Sequence, residues 1–145
     1  MSFGHLNHGK SPLEVSIVTS ADATIVQLPA GGAITAGDVL MIQANGSVVQ
    51  STAALSSKAI GVALEAITAD EATAGASVRV CVAGGIQGVN GAANLNDGDP
   101  LLPSTSVNGQ VDAWSGASNR PCCAVAQSTT GGAPAAITVY WFRKY

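Results

Sequence analysis

A chain of 145 residues with formal net charge −3 carries 10% charged residues, against 47% hydrophobic and 4% aromatic. Soluble domains average about 25% charged residues; here 17 glycines and 25 alanines fill the gap. The length suffices for one domain with a real core, and the charge deficit excludes a solvated disordered chain or a nucleic-acid coat.

Residues 1–23 read as an N-terminal arm. They hold both histidines (His5 and His8), Phe3, Lys10 and Pro12, with few turn pairs. Leu13, Val15 and Ile17 alternate with Glu14, Ser16 and Val18, so the end of the arm is expected to add as a strand. No apolar stretch has signal-peptide or membrane-span length, so neither a targeting segment nor a membrane helix is expected.

Residues 24–145 read as a single β domain. Short runs rich in Val and Ile are bounded by Gly, Asn, Asp, Ser and Pro, which is the strand-and-turn signature. The expected strands are Glu14–Val18, Thr24–Leu28, Val39–Ile42, Ser47–Gln50, Ala59–Glu65, Ser77–Ala83, Ile86–Val89, Leu101–Leu102, Gln110–Ala113, Cys122–Gln127 and Ala136–Phe142. Asn45-Gly46 and Asn108-Gly109 are hairpin dipeptides, because a type I′ turn needs positive φ at both central residues. Thr68–Ala76 suits one helical turn or a loop equally. The class is all-β.

An internal repeat organises these strands. Ile34–Leu40 (ITAGDVL) matches Leu95–Leu101 (LNDGDPL) at an offset of 61, while Asn45–Val48 matches Asn108–Val111 and Ile60–Ala63 matches Cys123–Ala126 at an offset of 63. Val78–Val80 and Ile137–Val139 close the copies, giving units of about 31–89 and 92–142. Two copies are too few for a solenoid. A barrel or sandwich closing on itself removes unpaired edges and is the expected solution.

Catalytic and metal chemistry find little support. Both histidines lie in the arm, and no Gly-x-Ser-x-Gly elbow is present, so a Ser or Cys nucleophile lacks a base nearby. His5-x-x-His8 needs further ligands to hold a metal. Asn94–Asp99 (NLNDGD) faintly resembles a calcium loop but has no Glu to close it, so a Gly-Asp turn is expected. The glycine pairs lack a Gly-x-x-x-x-Gly-Lys phosphate loop, and six Lys and Arg residues are spread thinly. Cys81, Cys122 and Cys123 do not form a disulfide framework. Of the adjacent pair, one is expected in the core and the other semi-exposed, in a protein made in a reducing cytosol. No catalytic residue, metal, cofactor, nucleic acid or membrane is assigned.

The C-terminal run Tyr140-Trp141-Phe142-Arg143-Lys144-Tyr145 holds four of the six aromatic residues. Alternation puts Val139, Trp141 and Arg143 on one face and Tyr140, Phe142 and Lys144 on the other. Core closure and a subunit contact both fit. Tyr, Trp and Arg are enriched at interface hot spots, so Tyr140, Trp141 and Arg143 are named as the candidate contact with a subunit or partner.

The series Ala36-Gly37-Asp38-Val39, Ile60-Gly61-Val62-Ala63-Leu64-Glu65 and Ala74–Val80 (AGASVRV), echoed by Asp97-Gly98-Asp99-Pro100 and Ala124–Gln127, resembles the capsid cement, or head decoration, proteins of tailed bacteriophages. The likeness covers about residues 30–141. Cys123-Ala124 stands where the pattern has Ile-Gly, and Pro100 interrupts the second Gly-Asp strand. The resemblance implies a small β-barrel or tulip-like β domain built from two related halves, with an extended arm. It further implies a homotrimer on the outer surface of a virion, bridging major capsid protein subunits against the pressure of packaged DNA. In this reading Phe3, Leu6, Leu13 and Val15 of the arm contact capsid or a neighbouring subunit. Other expectations are a phage tail, fibre or cell-surface β module that binds carbohydrate, and, last, a hydrolase.

Overall fold

The computed structural model describes residues 17–52, 58–114 and 122–142. Its elements are β1 (Val18–Thr19), β2 (Thr24–Pro29), β3 (Val39–Ile42), β4 (Val48–Gln50), β5 (Ala59–Ala63), α1 (Ala69–Thr73), β6 (Ser77–Gly91), β7 (Pro100–Pro103), β8 (Val111–Ala113), β9 (Ala124–Ala126) and β10 (Ala135–Trp141). The chain is nearly all β, with a closed five-stranded barrel and further strands. The barrel runs β6–β8–β7–β9–β10, and β10 returns to β6 to close it.

The sequence repeat is a repeat of strand pairings. β3 pairs β4 and β5 through Leu40↔Gln50 and Val39↔Val62, as β7 pairs β8 and β9 through Leu101↔Ala113 and Pro100↔Val125. The parallel contact Gly91↔Val111 between β6 and β8 has its counterpart in the bridge Ala30↔Val48. The Gly-Asp turns also coincide. Gly37 and Gly98 both have φ of +90°, the left-handed region where glycine is least strained. Their N–H groups donate to Ala63 O (2.9 Å) and Ala126 O (2.8 Å).

These pairings move the unit boundaries. β2 belongs to the first unit, and Ile86–Val89 belongs to the second. The sequence breaks at Gly84-Gly85, but β6 continues through them. Its first half pairs with β2 and β5, and its second half with β10. A Cβ at Gly84 would lie 2.7 Å from the Ala23 Cα, so a glycine lets β6 pass the 20–23 turn without a break.

Two apolar clusters follow from the duplication. One holds Leu40, Val48, Ala63, Val78 and Val80 of the first unit. The other holds their counterparts Leu101, Val111, Ala126, Ile137 and Val139, and also Val39, Val62 and Cys81 from the outer wall of the first unit. The second unit therefore covers that wall.

Two local expectations change. The end of the arm joins the fold: Val18 and Thr19 pair with Gln87 and Ile86, and Ile17 packs on the second cluster. The rest of the expected strand Glu14–Val18 lies outside the described residues. Thr68–Ala76 is resolved in favour of a helix. The Thr68 hydroxyl accepts from the Glu71 N–H (3.1 Å), and the Glu71 carboxylate accepts from the Thr68 N–H (2.8 Å). This reciprocal box starts the helix. N–H groups of Gly75 and Ala76 then donate to the Ala72 and Glu71 carbonyls and end it, in the closing pattern that favours glycine.

Candidate interaction surface and junction cleft

The two units meet at Asp38, which is 3% exposed. Its Oδ2 accepts from the Thr35 N–H (2.9 Å) and Gln50 Nε2 (3.2 Å), and its Oδ1 from Asn90 Nδ2 (2.8 Å). Thr35 and Gln50 belong to the first unit and Asn90 to the second. Around this carboxylate the backbones also join: Val39 N–H donates to Gly109 O (2.9 Å), Gly109 N–H to Ser51 O (3.0 Å) and Asn90 N–H to Gly37 O (3.0 Å). Burial pushes the Asp38 carboxyl above its ordinary value, while the bonds from Thr35, Gln50 and Asn90 hold it down. Asp99, the counterpart in the second unit, accepts from the Asn96 N–H (2.8 Å) but is only half-buried. One Gly-Asp turn is a junction and the other is only a turn.

A cleft of about 440 Å³ opens beside the junction, lined by Asp38, Gln50, Asn90, Val107 and Gln110 among others. Three of its polar side chains are tied to one another: Gln50 and Asn90 both donate to Asp38. Among the described residues, no three His, Cys, Asp or Glu side chains come together as a metal site.

Placement of the expected site residues is uneven. Phe3, Leu6, Leu13, Val15 and Arg143 lie outside the described residues, as do His5 and His8. Tyr140 is 41% exposed on the outer face of β10. Trp141 is corrected: it is 1% exposed and fills the second unit's core, so its indole offers no surface to another subunit. The alternation of β10 forces the split, since Val139 and Trp141 point inward and Tyr140 outward.

Tyr140 stands in an outward row with Gly85, Val125 and Pro100, each in register with its neighbour. Val125, Pro100 and Phe142 are half-buried. With Ile42 (39% exposed), Ile25 (43%) and Val18 (53%), this row makes up much of the large apolar surface that the described residues leave open. Sequence reasoning named Tyr140 and missed Ile42, which falls between the matched stretches of the repeat.

The cysteines divide as the adjacent pair suggested. Cys81 and Cys123 are buried and Cys122 is half-buried, all as free thiols. Burial raises the Cys81 thiol, and burial with the adjacent Cys122 raises the Cys123 thiol further. A thiolate reagent should therefore modify one cysteine per native chain and three after unfolding, read by intact mass. Rapid modification of Cys81 or Cys123 in the native protein would contradict this packing. No helix of the described residues is long and apolar enough to cross a membrane. No family model matches the chain, and no curated protein matches it.

Proposed function

We propose that the protein is a structural component of a phage virion, a trimer that decorates the outside of the capsid and cements neighbouring major capsid protein subunits. The observation that carries the reading is the half-exposed apolar row Tyr140–Val125–Pro100 on the β-barrel of a duplicated chain with few charges. The resemblance of the Gly-Asp and Ile-Gly-Val-Ala series to capsid cement proteins supports it.

A clamp of this kind needs no bond-making chemistry. A packaged genome pushes the shell outward, and contacts that span subunit junctions oppose separation. Three linked copies convert weak individual contacts into tight binding through effective concentration, a gain of about 10²–10⁴. Residues 1–16, with Phe3, Leu6, Leu13 and Val15, supply the capsid or neighbour contact, and the fold takes up the chain from Ile17 through the β1–β6 pairing. Net charge −3 suits an outer surface better than one facing DNA.

Removal of residues 1–12 tests the role of the arm. The shortened protein should unfold at the midpoint of the full chain and yet fail to occupy capsids in a cryo-EM reconstruction. Full occupancy by the shortened protein would refute a capsid-binding arm.

A further inference from the structure

Both units of the chain present the same outer wall, and only one wall is covered. In the first unit the wall is the row Ile25, Cys81, Val62, Val39, each in register with the next. Cys81, Val62 and Val39 are all 0% exposed, in one cluster with Ile86, Leu101 and Trp141 of the second unit. In the second unit the same positions are Gly85, Tyr140, Val125 and Pro100. Tyr140 is 41% exposed there.

The opposite end shows the converse. The hairpin end of the second unit is seated on the first: Pro103, Ser104 and Gly109 are buried, and Gly109 O accepts from the Val39 N–H. The matching residues of the first unit are Ile42, Gln43 and Gly46. Ile42 is 39% exposed and Gln43 is exposed. A Cβ at Gly46 would meet nothing within 4 Å. A head-to-tail pair of units thus leaves one wall and one hairpin end open, and within the chain these two kinds of surface already fit each other.

We propose that copies of the chain associate head to tail, with the Ile42–Gly46 end of one copy seated on the Tyr140–Val125–Pro100 wall of the next. Such a contact joins two different patches and closes into a ring when the rotation allows. That the ring holds three copies rests on the trimer of the proposed function; the head-to-tail geometry does not. The contact between copies is less polar than the junction inside the chain. Pro100 has no N–H to repeat the bond from Val39, and Asp38, Gln50 and Asn90 are replaced by Asp99, Ala113 and Pro29. It is therefore centred on Tyr140 and Ile42, and it dissociates more readily.

Two charge variants of the full chain separate this arrangement from every other. Tyr140→Glu spoils only the wall and Ile42→Glu only the hairpin end, and both positions are exposed. Each variant alone should weaken self-association at least about tenfold and sediment as monomer. Mixed, they should form a 1:1 dimer through the one intact contact, seen by light scattering and native mass spectrometry. Tyr140→Ser and Ile42→Ser serve as a second pair should either glutamate variant fail to fold. A wild-type chain that is monomeric at high micromolar concentration would overturn the proposal. So would a variant that keeps the wild-type mass, or a mixture that stays monomeric. Capsid binding is not read in this experiment, so its outcome and that of the capsid role are separable.

Discussion

Trp141→Ala should cost the fold about 3–5 kcal/mol, the range for a large aromatic removed from a packed core. The indole is 1% exposed and is the largest of the fully buried side chains. It sits at the last position of β10, opposite Gly84 on β6 and Ala124 on β9. Both partners are small residues, so removing the ring leaves a void that neither can fill. The first unit has Val82 at the corresponding place, 6% exposed. The measurement is urea unfolding followed by near-ultraviolet circular dichroism. A variant with the wild-type midpoint and a changed oligomeric mass would return Trp141 to an intersubunit contact.

Asp38→Ala comes next in size, at about 2–4 kcal/mol, because it removes the acceptor of three part-buried hydrogen bonds whose donors lie on both units, each bond worth about 0.5–1.5 kcal/mol. The Thr35 N–H, Gln50 Nε2 and Asn90 Nδ2 all lose their acceptor at once. Asp99→Ala, at the equivalent turn, should cost less than about 1 kcal/mol, since it removes one bond at a half-buried site. The contrast between two equivalent turns is the test; equal losses would show that Asp38 does not join the units. A pH dependence follows with a definite sign. Burial raises Asp38 in the folded chain above its ordinary value of 3.8, so the folded state holds this proton to higher pH than the unfolded state. Its contribution is therefore most favourable below pH 3.8 and declines as pH rises through the raised value. Asp38→Asn cannot titrate and should flatten that part of the stability curve.

Most of the fold was legible because short strands between turn residues leave a strong local signal. The paired Gly-Asp and Asn-Gly dipeptides, at offsets of 61 and 63, also revealed the duplication. Less legible were features that depend on what lies across from a residue. Gly84-Gly85 reads as a break because glycine is a poor strand former, yet the nearby Ala23 and Ser20 make glycine the residue that fits there. Ile86–Val89 follows the first unit in sequence and pairs with β10 of the second. At Thr68–Ala76 the capping pair Thr68 and Glu71 argues for a helix while Gly75 and two threonines argue against it, so the local sequence leaves the two balanced. For the candidate site, alternation along β10 separated Tyr140 from Trp141 but could not say which face was inside. Asp38 and Asp99 look alike in sequence, and only the approach of Asn90 and Gly109 to Asp38 makes one of them a buried junction.

The assembly role is tested most directly by counting the protein in the particle. Quantitative mass spectrometry of purified virions, calibrated against the major capsid protein, gives copies per particle. A capsid decoration protein should be present in hundreds of copies, in fixed ratio to the shell. A few copies per particle would point instead to a tail or fibre component, and absence from the virion would contradict the structural role altogether.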